Sequence, residues 1–435
     1  MGRKNWSASL RMPKSVIVYK CMVNVDWLFL DMNSFFASAE QQMQPALRGK
    51  PVVVVPTMTD RTCCIAVSYE ARPYGIKTGT NVGEARRRCP GLRVIEGKHK
   101  NYVRIHHEIV AAVETVLPVE QICSIDEMVC RLSPQHREVG RAVELAKEVK
   151  EAIYQRAGVA LRCSVGLATN RFLAKVASNM QKPNGLTAIT REELPRKLYS
   201  LELSDFPGIA KNMRRRLESK GIRTTRQMCG LSKPQMVDVW ESILGEQWWY
   251  RLRGDECQEK STRRRTLGHS HVLPPKLRND DGARAVFVRL LHKAGMRLRR
   301  IDYWASRLVV RLAYCDGWPR WKQVVYLGRC QDTPSMLKAF ERAWQSRPSG
   351  PRPLQPSITL IDLTPGASTT PSLFAEERRD LVAAQTMDAL NERFGANSVY
   401  FASMHEARNA APLRIAFTNI PDVSAEIHAR EESGG

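Results

Sequence analysis

Two apolar runs of this chain end on carboxylates, and that arrangement constrains its fold more than any other feature. Val25 to Leu30 reads as a buried strand running into Asp31, with Asn33-Ser34 and a helix over Phe35 to Met43 directly behind it. Further on, Val119 to Cys123 and Met128 to Leu132 flank Ser124-Ile125-Asp126-Glu127, which predicts a β-hairpin with an acidic turn. Each half has an ordinary explanation, since an Asp at a strand end serves as turn former or helix N-cap and an acidic hairpin turn is commonly solvated. Read together, three carboxylates delivered by two strand ends can hold a pair of Mg²⁺ ions about 4 Å apart, because hard oxygen ligands suit that ion. Such a pair is the minimal apparatus of nucleotidyl transfer.

A chain of 435 residues with 43% hydrophobic content can build roughly three or four cores. The 67 Lys and Arg against 44 Asp and Glu leave a net +23 and a pI near 9.8, which points to a polyanionic partner, nucleic acid first. An anionic membrane is the competitor, but the sequence has no apolar run of about 18 residues and no basic amphipathic helix with an aromatic apolar face. The first twenty residues are basic without an apolar signal core, and Trp6 stands where a myristoylation motif needs Ser or Thr. Met22 lies just before the first strand, so residues 1–21 read as a dispensable extension or a misassigned start. The 11 cysteines include adjacent Cys63-Cys64 but no C-x-x-C pair, which predicts reduced thiols and a cytoplasmic enzyme. His106-His107-Glu108 does not suit a metal, because adjacent histidines on a helix point in different directions.

The pattern along the chain is α+β. Pro51 to Pro56 brackets an apolar strand, and Tyr74 to Thr80 forms a glycine-punctuated loop before a basic helix containing Glu84 to Arg88, a unit that could clamp a triphosphate. Residues 140–156 place Ala142, Leu145, Ala146, Val149 and Ile153 on one helical stripe, and Leu161 to Gly166 returns as a strand. Leu203 to Ala210 leads into a basic helix, Lys211 to Leu217, with Gly221 as its stop. That pattern resembles a helix-hairpin-helix, in which N–H groups at a glycine turn (Gly208) and a helix N-terminus (Lys211) bind a DNA phosphate without reading sequence. Ala210 stands where a second glycine is usual, and a simple helical hairpin is the alternative. Cys257 to Arg265 is charged and aperiodic, so it reads as an exposed linker. Beyond it, Ala285 to Arg300 reads as a helix, Arg307 to Leu312 as an exposed strand, and Gln323 to Leu327 as its partner. Arginines on one sheet face can track a phosphate backbone or simply face water. Pro348 to Pro353 marks a surface loop, followed by a last helix over roughly 376–394 and a strand at Ser398 to Phe401.

Several separate motifs together resemble the Y-family translesion DNA polymerases of the bacterial UmuC/DinB group, from about Val25 to the C-terminal region. Asp31-Met32-Asn33-Ser34-Phe35-Phe36-Ala37-Ser38-Ala39-Glu40 is similar to the first catalytic motif, Ser68-Tyr69-Glu70-Ala71-Arg72 to the triphosphate-binding motif, and Ser124-Ile125-Asp126-Glu127 to the second acidic motif. Phe172 to Gly185 resembles the stretch that returns a lysine, here Lys182, to the triphosphate. The resemblance implies an α+β right-hand architecture. Its parts would be a palm (22–34 and 101–188), small fingers (35–100), a helical thumb (189–256), a linker (257–268), an α+β little finger (269–366) and a C-terminal region (367–435).

The function it implies is error-prone, template-directed DNA extension past damaged template bases, with two Mg²⁺ ions per active site. Asp31, Asp126 and Glu127 would be the catalytic acids, and they and the Met32 carbonyl the metal ligands. Tyr69, Arg72 and Lys182 would meet the β- and γ-phosphates, while Phe35 and Phe36 lie at the sugar, with Phe36 at the sugar-discriminating position unless it packs in the helix core. Leu373-Phe374, after Thr370-Pro371-Ser372, resembles the short peptide that binds the sliding clamp, although the usual glutamine is absent and a buried Leu-Phe pair is the alternative. The expected partners are primer–template DNA, deoxynucleoside triphosphates and the clamp, with no membrane and a monomeric state. Two rivals are a non-catalytic scaffold, opposed by retention of all three acids, and a palm-type nucleotide cyclase, opposed by the phosphate-gripping hairpin and the basic C-terminal module.

Overall fold

The computed structural model describes residues 24–257, 264–315, 317–369 and 375–411, with side chains of 375–377 excepted. The chain divides into two compact units, Met1–Gln258 and Glu259–Gly435. The first runs β1 (Trp27–Met32), α1 (Phe35–Met43), β2 (Val52–Val55), β3 (Ala66–Val67), α2 (Val82–Arg88), β4 (Arg93–Glu96) and α3 (His99–Glu114). It continues through β5 (Gln121–Ile122), β6 (Glu127–Arg131), α4 (Val139–Ala157), β7 (Cys163–Ala168), α5 (Arg171–Met180) and β8 (Leu186–Ile189). The helices α6 (Lys211–Ser219), α7 (Thr225–Cys229), α8 (Lys233–Trp240) and α9 (Leu244–Arg251) complete it.

Its main sheet has the order β5-β6-β1-β7-β8. Every residue of β1 is buried, as expected of an apolar strand with neighbours on both edges and helices on its face. Helix α5 packs against β7, and Gly166 makes that possible, since a Cβ there would lie 2.0 Å from the Ala174 carbonyl oxygen. The predicted stripe of α4 is buried throughout, and its first turn is capped by Glu138, whose carboxylate accepts from the N–H groups of Gly140 and Arg141 at 3.1 and 2.9 Å. A second sheet, β3-β2-β4, encloses its own apolar cluster of Val53, Val55, Val67 and Ile76 with Val82 and Ala85 of α2.

The second unit comprises β9 (Thr266–Ser270), α10 (Asp280–Arg300), β10 (Tyr303–Tyr314), β11 (Trp321–Cys330), α11 (Thr333–Trp344), β12 (Pro353–Pro365) and α12 (Ala375–Phe394). Its sheet is ordered β11-β10-β12-β9. Phe287, Leu291 and Phe340 of α10 and α11 share a core with Leu308, Val310, Leu312 and Leu360 of the sheet.

The sequence reading departs from this structure in three places. Arg307 to Leu312 is not an exposed strand but the middle of the long interior strand β10, whose Leu308, Val310 and Leu312 are buried while Arg307 faces out. Alternation reports the two faces of a strand but not its neighbours, and here β12 pairs with β10 while α11 packs on it. Strand β9 begins at Thr266, inside the stretch expected to be a linker, because it pairs with β12. No strand forms over Ser398 to Phe401; the Asn391 side-chain amide accepts from Val399 N at 3.0 Å and donates to its carbonyl at 2.8 Å, satisfying the groups a neighbouring strand would have taken. A 3₁₀ turn, Ala402–Ala407, follows, and Ala407 and Ala411 enter the core of the second unit. The ten described cysteines are free, and no helix among the described residues is long and apolar enough to cross a membrane.

Candidate active site

The register of β1 assembles the acids. Asp31 lies opposite Glu127 of β6 and Ser164 of β7, and the Met32 N–H donates to the Asp126 carbonyl at 2.8 Å, drawing the acidic turn onto the strand end. Ser124 Oγ bonds the Asp126 carboxylate, and His106, fully buried on α3, sits with Nδ1 2.8 Å from the Ile125 carbonyl oxygen. The turn is therefore fixed from two sides, and His106 takes the packed role rather than a metal-binding one. Nothing in the local sequence around the turn announced His106, because its partner lies on a different element.

Burial sets the electrostatics. Asp31 is only 7% exposed, and desolvation pushes its carboxyl up to about 6; the Lys182 charge and hydrogen bond oppose the shift, while Glu127 and Asp126 add to it. Asp126 is also raised, mainly by burial, with the Ser124 hydrogen bond opposing. Two of the three acids have an ammonium partner: Lys182 Nζ is 2.6 Å from Asp31 Oδ2, and Lys175 of α5 is ion-paired with Glu127 while lying 5.2 Å from the Phe29 ring centroid. Lys175 lies within the Phe172 to Gly185 segment singled out from the sequence, but its contact with Glu127 depends on α5 packing across the sheet.

As these side chains stand, no group of three His, Cys, Asp or Glu among the described residues is arranged as a metal cluster. The donor chemistry nevertheless fits Mg²⁺. The candidate ligands are all oxygen, the neighbouring carboxylate charges add to the proton affinity of Asp31 and Asp126, and two lysine ammoniums stand in as the cations that this field requires.

Around this centre, Arg72 lies with its guanidinium carbon 3.9 Å from the Tyr69 ring centroid and donates to Ser34 Oγ at 2.9 Å. The Tyr69 hydroxyl oxygen is buried without a partner at hydrogen-bonding geometry, and burial raises its pKa, opposed by the Arg72 guanidinium and assisted by the Asp31 charge. The structure thus places an unfilled hydroxyl and a planar fork beside the acids, a suitable lining for phosphate oxygens. Two of the three α2 arginines are otherwise engaged: Arg88 bonds the Gly75 carbonyl at 2.7 Å and Glu84, and Arg86 pairs with Asp60. Phe35 is 3% exposed and packs in the core. Phe36 is partly exposed and stacks on Tyr102 at 4.6 Å, whose hydroxyl donates to buried Glu40 at 2.7 Å. Gly208, exposed with φ of 99°, and exposed Lys211 lie at the entry to α6, on a different element from the acids. Leu373 and Phe374 lie outside the described residues.

The chain is similar to known proteins along most of its length. The model of the impB/mucB/samB family matches residues 30–179, and that of the impB/mucB/samB family C-terminal domain matches residues 264–370. A DNA polymerase IV of Bacillus velezensis is 28% identical over 391 residues, covering 85% of this chain and 91% of that protein. One from Streptococcus pyogenes serotype M3 is 30% identical over 288 residues, 66% of this chain and 75% of that one. Among solved structures, a Y-family DNA polymerase chimera of Dbh and Dpo4 aligns with a TM-score of 0.64 at 21% identity, covering 78% of this chain and 99% of that chain. An insertion ternary complex of Dbh DNA polymerase aligns with a TM-score of 0.53 at 22% identity, covering 77% and 98%. These two likenesses show a shared palm, fingers, thumb and little-finger architecture.

Proposed function

The chain belongs to the Y-family DNA polymerases of the DinB/UmuC type, and from that premise we propose that it is a template-directed, error-prone DNA polymerase whose chemistry rests on Asp31, Asp126 and Glu127. The observation that carries the site assignment is the β1–β6 register, which sets Asp31 against Glu127 while Met32 N–H holds the Asp126 peptide. Asp31, Asp126, Glu127 and the Met32 carbonyl would hold two Mg²⁺ ions, which when bound activate the primer 3′-hydroxyl and stabilise the departing pyrophosphate. Phosphoryl transfer asks little covalent chemistry of a protein, so the side chains act by positioning and charge. Lys182, released from Asp31, supplies a point charge to the triphosphate; Arg72 supplies a fork and Tyr69 a hydroxyl donor. Phe36 lies against the sugar and Phe35 anchors it from the core side.

The same reading assigns 22–34 and 101–188 to the palm, 35–100 to the fingers, 189–256 to the thumb and 269–366 to the little finger. Gly208 and Lys211 would grip a DNA phosphate, and Leu373-Phe374 would bind a sliding clamp, which clamp-stimulated synthesis by a variant lacking the two residues tests. A monomeric, cytoplasmic enzyme with primer–template DNA and deoxynucleoside triphosphates as partners completes the assignment. The decisive experiment is single-turnover primer extension by Asp126→Ala and Glu127→Ala. Both should lose extension by on the order of 10³-fold or more, as expected when a preorganised charge at the reacting centre is removed, while primer–template affinity is retained. Wild-type-like chemistry in both variants would refute the assignment.

A further inference from the structure

Lys182 is carried on a turn that a single distant ammonium holds from outside. Lys150, on α4, directs Nζ at three backbone carbonyl oxygens: Asn184 at 2.6 Å, Gly185 at 3.1 Å and Cys163 at 3.2 Å. An ammonium has three protons, and here all three acceptors are main-chain oxygens rather than a carboxylate. Two belong to the turn after Lys182 and one to β7, so the side chain fastens the turn to the sheet that carries the acids.

The inner side of the same turn is tied to the catalytic strand. Asn33, two residues after Asp31 and 3% exposed, accepts from Asn184 N at 2.7 Å and donates to Ser164 Oγ at 3.0 Å. Ser164 Oγ in turn accepts from Gly185 N at 3.2 Å and donates to the Gln181 carbonyl at 3.3 Å. The backbone has little freedom of its own here: Asn184 has φ of 57°, and a Cβ on Gly185 would lie 1.7 Å from the Gln181 carbonyl oxygen. Asn33 and Ser164 thus set where the turn sits against Asp31, and Lys150 closes it from the opposite side. Without that ammonium, the Asn184 carbonyl loses a short charge-assisted bond and the turn can swing away from the strand end.

We propose that Lys150 is a positioning residue for nucleotide binding, holding the Asn184–Gly185 turn so that Lys182 reaches the triphosphate. The inference rests on the assignment of Lys182 to the triphosphate and extends it to a residue that touches neither nucleotide nor acid. A displaced cation weakens nucleotide binding more than the chemical step, so the effect belongs in KM.

The test uses the full chain with primed template and measures kcat and KM for the incoming deoxynucleotide in Lys150→Met, Lys150→Arg, Lys182→Met and the Lys150→Met/Lys182→Met double variant. Lys150→Met should raise KM by about tenfold with a much smaller change in kcat, and Lys150→Arg, which can still donate to several carbonyls, should restore most of the affinity. The double variant should be no worse than Lys182→Met alone, because residues acting through one another are not additive. Multiplying effects in the double variant, or an unchanged KM in Lys150→Met, would overturn the inference while leaving the role of Lys182 intact. An unchanged KM in Lys182→Met would instead overturn the triphosphate assignment, and this inference with it. Should Lys150→Met not accumulate as folded protein, Lys150→Gln is measured against the same additivity criterion.

Discussion

The two sheets of this protein carry their charges in opposite ways. In the first unit, β1 is buried along its whole length and its terminal carboxylate is desolvated, met by an ammonium at 2.6 Å and faced by two further acids. In the second, β10 buries Leu308, Val310 and Leu312 on one face and turns Arg307 and half-buried Arg311 outward, where they bond Asp362 and Thr359. Exposed pairs of the second kind contribute little to stability and are readily exchanged for a phosphate. Buried charges of the first kind are costly unless compensated, and they hold a geometry. One sheet therefore buries its charges where they hold a geometry, and the other leaves them on an accessible face, which under the proposed function divides chemistry from phosphate contact.

That contrast can be broken by experiment. Its largest consequence, after the loss of chemistry in the Asp126 and Glu127 variants, is on DNA affinity. Raising salt from about 50 to 200 mM should weaken primer–template binding by on the order of 10³-fold if six or more phosphates are neutralised. Arg307→Ala and Arg311→Ala should each make the log–log salt slope shallower by about one, whereas Asp126→Ala should leave it unchanged. A flat salt response, or an altered slope in the acid variant, would erase the distinction between the two sheets.

A smaller effect is expected at the edge of the first site. Phe36→Ala should raise kcat/KM for ribonucleotides relative to deoxyribonucleotides by about 10–100-fold, since removing a ring relieves overlap with a 2′-hydroxyl while the base is untouched. Phe36 stacks on Tyr102 but remains partly exposed, unlike Phe35, so soluble protein with an unchanged sugar ratio would reject the gate.

The smallest effect is on stability. Burial raises the folded-state pKa of Asp31 from the ordinary 3.8 to about 6. A carboxyl raised on folding stabilises the fold only while protonated: the contribution is complete below about pH 4 and is lost as pH rises through about 6. At about 1.4 kcal/mol per pKa unit, this is at most about 3 kcal/mol. In chelator, Asp31→Asn should therefore raise Tm by a few degrees more at pH 7.5 than at pH 5. Parallel pH profiles for wild type and variant would show that the buried acid carries no such cost.

Local pattern made much of this molecule legible. The stripe on α4, the apolar run ending at Asp31 and the turn at Ser124 to Glu127 are consequences of residue order, because periodicity and turn chemistry act over a few positions. The helix predicted after Asp31, Phe35 to Met43, is the span of α1. Where neighbours in space decide the outcome, the pattern misleads: the alternation at Arg307 to Leu312 predicts an exposed strand, whereas β12 pairs along it, and Val399 finds its partners in a side-chain amide instead of a strand.

The sequence by itself determined which acids end which strands and which basic residues follow them. Only the tertiary structure decided that Lys182 meets Asp31, that Lys175 meets Glu127, that His106 supports the acidic turn and that Lys150 fastens the turn carrying Lys182. The physical reason is range. Asn33 bonds Ser164 across 131 positions and Asn184 across 151, and such contacts exist only where apolar burial holds α4 and α5 against the sheet. Helical period fixes the face of α4 on which Lys150 stands, whereas the three carbonyls it reaches exist as a group only once β7 and the Asn184–Gly185 turn have come together.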